Sequence, residues 1–148
     1  MSKILVCVPT YNERENIELI LSRLFQSNRN INALVIDDNS PDGTASIVEK
    51  LQKSNQNLYL LKNPRKSGLG GAYRAGFKWA LDNDFDFVIE MDADGSHQPE
   101  QLPTLIAKID TSDVVIGSRW TKGGSVVNWP LSRKVLSLGG NFYVRTVL

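Results

Sequence analysis

Ile4-Leu5-Val6-Cys7-Val8-Pro9-Thr10-Tyr11-Asn12-Glu13 is the stretch that decides the fold. Its first five side chains are apolar with no alternation, so the backbone they build is covered on both faces. A strand in a parallel sheet reads this way. Pro9 ends the run, and Thr10, Tyr11, Asn12 and Glu13 follow as a polar group. Asn12 is placed to accept a backbone N–H at the start of a helix, with Glu15 at its third position reaching back. Ile17, Ile20, Leu21, Leu24 and Phe25 then recur at helical spacing and form one apolar stripe.

The strand–loop–helix unit repeats along the chain. Residues 33–36 read as a second buried strand ending in Asp37-Asp38. The turn residues Ser40-Pro41-Asp42-Gly43 lead into a helix with Ala45, Ile47, Val48 and Leu51 inward. Residues 58–61 form a third strand, and a basic, glycine-rich loop precedes a helix over 72–81. Residues 85–91 form a fourth strand ending in Asp92, residues 101–109 a helix, and residues 114–116 a fifth strand. This order predicts an α/β fold of three layers, α/β/α, around a mostly parallel sheet. The pattern changes after Gly117, which separates a core over 1–118 from a segment of the same domain over 119–148.

Composition narrows the function. A chain of 148 residues suffices for one domain with its own core. A net charge of +1 supplies no global field to attract nucleic acid. Cys7 is the single cysteine, so no disulfide framework exists and a reduced compartment is expected; within its apolar run it reads as a buried, inert thiol. The run at 4–8 is too short for a signal core or a membrane span, which points to a cytoplasmic chain. Arg133, Lys134 and Arg145 interrupt the last helix candidate, so it can lie on a membrane but does not read as crossing one.

In open α/β sheets, ligands bind beyond the carboxyl ends of the strands. The polar clusters fall there: Pro9 to Glu13, Asp37-Asp38, Asp92-Ala93-Asp94 and Ser118-Arg119. In extended backbone alternate side chains share a face, so Asp92 and Asp94 can meet one ion while Ala93 turns away. Hard oxygen ligands favour Mg²⁺ or Mn²⁺, completed by substrate phosphates. The same string also serves as a turn or helix cap. Asp38 either caps the turn at 40–43 or bonds a ribose hydroxyl or base edge, and Asp37 stands beside it. Tyr11 packs at a sheet edge or stacks on a nucleobase. Glu13 falls in the first turn of the first helix, where the dipole alone favours it. Arg65-Lys66-Ser67-Gly68-Leu69-Gly70-Gly71 has neither Walker nor dinucleotide-fingerprint spacing. It caps the third helix, or its Lys66 reaches a diphosphate or sugar. Arg119 can clamp a phosphate through two N–H groups. His97 reads as a hydrogen-bonded loop residue.

Together, Pro9-Thr10-Tyr11-Asn12-Glu13, Asp37-Asp38-Asn39-Ser40-Pro41-Asp42-Gly43-Thr44, Lys66-Ser67-Gly68-Leu69-Gly70 and Met91-Asp92-Ala93-Asp94 resemble the family 2 glycosyltransferases of the GT-A fold, which transfer sugars from nucleotide diphosphates. Gly117-Ser118-Arg119, Gly123-Gly124-Ser125, Asn128-Trp129-Pro130, Arg133, Ser137 and Gly139-Gly140-Asn141 narrow the resemblance to polyprenol-phosphate (dolichol-phosphate) mannosyltransferases. The resemblance implies metal-dependent, inverting transfer of mannose from GDP-mannose to a lipid phosphate. It assigns Pro9, Tyr11, Glu13, Ile36, Asp37, Asp38 and Lys66 to the nucleotide-sugar site. Asp92, Ala93 and Asp94 would meet ribose, diphosphate and metal, Arg119 the diphosphate, and Arg133 with Ser137 the acceptor phosphate. Some relatives carry glutamine as a further ligand where this chain has Ser96, which leaves that position in doubt.

The family continues past residue 148, so the resemblance implies a truncated chain, lacking a C-terminal part or served by a membrane-embedded partner subunit. A lipid phosphate is already anionic, so no tuned general base is needed, and none stands out. Leu131, Val135, Leu138, Phe142 and Leu148 beside Arg133, Lys134 and Arg145 suit a helix at a membrane surface, or a core helix with its partner elsewhere. UDP-glucose or UDP-N-acetylglucosamine as donor, a nucleotidyltransferase, which would need a basic motif near the first strand where Tyr11 and Glu13 stand instead, and a non-catalytic nucleotide-sugar-binding fragment remain the alternatives.

Overall fold

The computed structural model describes residues 2–28, 30–118 and 130–147. The chain divides into two compact units, Met1–Ala107 and Lys108–Leu148.

The first unit holds β1 (Ile4–Thr10), α1 (Ile17–Ser27), β2 (Asn32–Asp37), α2 (Thr44–Gln52), β3 (Leu58–Lys62), α3 (Gly68–Asp82), β4 (Phe87–Glu90) and a short α4 (Leu102–Ile106). The sheet order is β3-β2-β1-β4, and every neighbouring pair is parallel. Cys7 of β1 stands opposite Leu34 of β2 on one side and Glu90 of β4 on the other.

The unbroken apolar runs of β1 and β2 serve two cores. Val6, Val8, Ala33 and Val35 pack with Ile17, Ile20, Leu21 and Leu24 of α1 and Val48 of α2. Leu5, Cys7, Leu34 and Ile36 point the other way, onto Ala72 and Ala80 of α3. Full burial of each Leu or Ile contributes about 1.5–3 kcal/mol. The three-layer α/β reading is therefore what the chain adopts.

Several expected boundaries move. The first helix begins at Ile17, not at Asn12, because Asn12 takes a left-handed φ of 61° and residues 14–16 form a turn. Glu13 therefore lies in a loop and not in a helical first turn. The third helix starts at Gly68, so most of the glycine-rich segment is helical. The fourth helix shrinks to a 3-10 turn, Pro99–Gln101, and the short α4. No strand forms at residues 113–118, and Val114 and Ile116 are 76% and 80% exposed. Three apolar residues are too few for a pattern to specify a ladder partner.

The second unit carries a 3-10 turn, Ile109–Thr111, and α5 (Leu131–Val147). Leu131, Val135, Leu136, Leu138 and Phe142 of α5 are exposed. No helix among the described residues is long and apolar enough to cross a membrane.

Candidate functional site

A cleft of about 290 Å³ opens where β1, β2 and β4 end. Eight of the expected residues line it: Pro9, Tyr11, Glu13, Asp38, Lys66, Asp92, Ala93 and Asp94. Thr10, Gly68 and Leu69, which the sequence motifs contain without a role of their own, line it as well, and so does Ala72.

The loop after β1 is held open by the loop after β2. The backbone N–H groups of Asn12, Glu13 and Arg14 donate to Ser40 Oγ, Thr44 Oγ1 and Asp42 Oδ2, each at 3.1 Å. These ties hold the loop with Asn12 in its left-handed conformation, which is why α1 starts late. Tyr11 is left on the cleft wall, 38% exposed. Lys66 Nζ lies 3.5 Å from the centre of its ring, a cation–π contact. The Glu13 carboxylate accepts from Asn16 Nδ2 at 2.8 Å.

The two acidic residues after β2 divide their work. Asp37 accepts from Thr10 Oγ1 at 3.1 Å and from the Ser40 N–H at 3.0 Å, so it is Asp37 that caps the 40–43 turn. Asp38, only 3% exposed, turns to the start of α3. It accepts from the Ser67 N–H at 2.8 Å, the Gly68 N–H at 2.7 Å, Ser67 Oγ at 2.8 Å and Asn63 Nδ2 at 2.9 Å. Burial by itself raises the Asp38 carboxyl, but the bonds from Asn63, Ser67 and Gly68 outweigh it and hold it below the usual range. Ile36 lies in the core beneath α3 with no exposed surface, so its side chain does not line the cleft as the resemblance implied.

After β4 the backbone leaves the strand and bends at Ala93 and Asp94. Ala93 buries its methyl in the α1 core, while Asp92 is half-buried and Asp94 exposed. The Ser96 N–H donates to Asp94 Oδ1 at 2.8 Å. That bond, the Ser96 hydroxyl and the attraction of His97 hold the Asp94 carboxyl below its ordinary value against a smaller effect of burial. Ser96 thus serves Asp94. The Asp92 N–H donates to His97 Nδ1 at 3.1 Å, and His97 Nε2 lies 3.7 Å from Asp92 Oδ2. His97 is therefore a loop residue that braces the acidic pair. Tyr73 of α3 donates its hydroxyl to Asp92 Oδ1 at 3.4 Å. Burial first, then the charges of Asp92 and Glu90, push the Tyr73 phenol well above its ordinary value, so it stays a donor. Nothing local in the sequence marks Tyr73, since only the packing of α3 brings it to Asp92.

The donor set suits a hard divalent cation. Asp92 and Asp94 offer carboxylate oxygens, and Tyr73 and His97 approach the Asp92 carboxylate only at 3.4 and 3.7 Å. Among the described residues no group of three His, Cys, Asp or Glu side chains gathers as a metal site. Two carboxylates with the remaining positions left to phosphate and water is how Mg²⁺ and Mn²⁺ are commonly held.

Arg119 lies outside the described residues. Arg133 and Ser137 belong to the second unit, one helical turn apart on α5.

Residues 5–147 match the sequence pattern of Glycosyl transferase family 2. The undecaprenyl-phosphate mannosyltransferase of Micrococcus luteus is 48% identical over 99% of this chain and 60% of its own length. The polyprenol monophosphomannose synthase of Mycolicibacterium smegmatis is 45% identical over 97% of this chain and 55% of its own. The dolichol-phosphate mannosyltransferase of Pyrococcus furiosus is 41% identical over 99% and 41%. The chain thus spans between about two fifths and three fifths of these relatives. The mannosyltransferase PcManGT of Pyrobaculum calidifontis, solved with GDP-Man and Mn²⁺, has the same fold, with a TM-score of 0.64 at 24% identity over 76% of this chain and 33% of that one. Residues 1–349 of S. aureus TarS, solved with UDP, give a TM-score of 0.61 at 32% identity over 73% and 32%. With its motifs on the cleft wall and the match running over nearly its whole length, this chain belongs to glycosyl transferase family 2.

Proposed function

We propose that the cleft binds GDP-mannose and that the chain serves the inverting transfer of mannose to a polyprenyl monophosphate, with Mg²⁺ or Mn²⁺. The observation that carries this reading is the meeting of Tyr11 and Lys66 with Asp92-Ala93-Asp94 in one cleft. One end offers a flat ring for a base; the other offers carboxylates for a metal-bound diphosphate. The mannosyltransferase names of relatives at 41–48% identity support the sugar and the lipid phosphate.

In the reaction, an oxygen of the acceptor phosphate attacks the anomeric carbon. The bond from that carbon to the diphosphate breaks, and its electron pair leaves with GDP. No proton must be removed from the nucleophile, in keeping with a cleft whose acidic groups Asp38 and Asp94 are held ionised. Asp94 and Asp92 would hold the divalent ion, whose contribution is to neutralise charge on the departing diphosphate. Lys66 lies beside Tyr11 and adds a positive charge to the same wall. Arg119 takes the diphosphate side in this reading. Arg133 and Ser137 receive the acceptor phosphate, and the exposed apolar residues of α5 rest on the cytoplasmic membrane surface.

Incubating the chain with GDP-mannose, Mn²⁺ and a polyprenyl phosphate tests the reading. Mannosyl-phosphoryl lipid is the expected product. Nucleotide binding without transfer, under conditions where a full-length relative is active, favours the donor-binding fragment. A uridine donor has one observation in its favour, the likeness to UDP-bound TarS, and transfer from UDP-sugars in place of GDP-mannose would establish it.

A further inference from the structure

Asp42 does not line the cleft, yet it controls the loop that does. Its Oδ2 accepts the Arg14 N–H at 3.1 Å, and its backbone carbonyl accepts from Arg14 Nη1 at 3.1 Å. Its Oδ1 accepts from the Thr44 N–H at 2.9 Å and from the Thr44 hydroxyl at 2.6 Å. Thr44, fully buried, in turn receives the Glu13 N–H, and Ser40 receives the Asn12 N–H. Three successive amides, 12 to 14, are thus each held by a side chain of one five-residue turn. The loop so held adopts a conformation that costs free energy, with Asn12 at φ 61°. Asn39 at φ 62° and Gly43 at φ 89° shape the turn that holds it.

We propose that Asp42 is a positioning residue for the nucleoside half of the donor site, fixing Tyr11 and Glu13 through Arg14 and Thr44. This rests on the nucleotide-sugar reading above. The diphosphate half stands on β4 and its own bonds to Ser96 and His97, which Asp42 does not touch. The two halves therefore separate by mutation. In Asp42→Asn the amide nitrogen must face either the Arg14 N–H or Thr44, so the side-chain ties to the two cannot both survive. Ser40→Ala removes the tie to Asn12 with little change in volume.

Calorimetric titration of the chain and both variants with guanosine, GDP and pyrophosphate, the last two with Mn²⁺, reads the separation. The expected result is about tenfold weaker guanosine and GDP binding in Asp42→Asn, with a smaller loss in Ser40→Ala and pyrophosphate affinity unchanged in both. A general loosening of the fold would weaken pyrophosphate as well. Equal loss for all three ligands, or unchanged GDP affinity in Asp42→Asn, overturns the positioning role. Wild-type protein that binds GDP no better than pyrophosphate overturns the nucleoside reading itself, and the positioning role with it. If Asp42→Asn does not fold, Thr44→Val, which removes the hydroxyl linking Asp42 to the Glu13 N–H at nearly constant volume, carries the same test.

Discussion

Asp38 and Ser67 are joined across the site: the Asp38 carboxylate, at the end of β2, takes the Ser67 N–H at 2.8 Å and the Ser67 hydroxyl at 2.8 Å where α3 begins. A negative charge there also faces the positive end of a helix dipole. Asp38→Asn should lower stability by about 1–3 kcal/mol, because at least one buried donor loses its partner. The pH dependence has a definite sign. A carboxyl held below its unfolded value stabilises above the unfolded pKa, and the gain is lost as pH falls through the folded pKa. Melting curves from about pH 7 down to about pH 3 should show a shallower acid decline in the variant than in wild type. Parallel declines would contradict this.

Gly76 of α3 leaves room for no side chain. A Cβ there would lie 2.6 Å from Ile36 Cδ1 and 3.1 Å from Cys7 Sγ, both fully buried. Gly76→Ala should cost about 1–3 kcal/mol in urea unfolding through overpacking. Adding Ile36→Val, which removes the Cδ1 in question, should recover part of that loss. Additive losses in the double variant would rule out the contact as the cause.

Cys7 should be chemically silent in the folded chain. Burial, with help from Glu90, pushes its thiol up to about 12, so thiolate is scarce at neutral pH. An aromatic disulfide reagent should label it only after denaturation. Rapid labelling of the native chain would show that α3 does not cover β1 as described.

Arg133→Ala should weaken the lipid acceptor and leave the donor alone. Steady-state transfer kinetics would show a raised KM for polyprenyl phosphate and an unchanged KM for GDP-mannose. An equal rise in both would remove Arg133 from the acceptor site.

The layers were legible because residues 4–8 of β1 and 33–36 of β2 are apolar without alternation, which only a doubly covered strand requires. The positions of Tyr11, Glu13 and the Asp92–Asp94 pair on one cleft followed from the strand ends, and Lys66 was one reading of the basic loop before α3. What was not legible depends on residues far apart in sequence. Asn12 looked like a helix cap, but its N–H is claimed by Ser40, 28 positions on. Asp38 serves Ser67, 29 positions on, so no local window shows that its carboxylate is already occupied. Ile36 came from family resemblance, whereas strand alternation turns its side chain onto α3. Tyr73 reaches Asp92 only once α3 is docked.

The most direct measurement is calorimetric titration of the chain and Asp94→Asn with GDP and UDP, with and without Mn²⁺. The account predicts that wild type prefers GDP and that Mn²⁺ tightens it by about tenfold or more, at least about 1.4 kcal/mol. Asp94→Asn should lose the Mn²⁺ effect while keeping its helical circular dichroism. GDP affinity in Asp94→Asn that still matches wild type in the presence of Mn²⁺ would contradict the central claim.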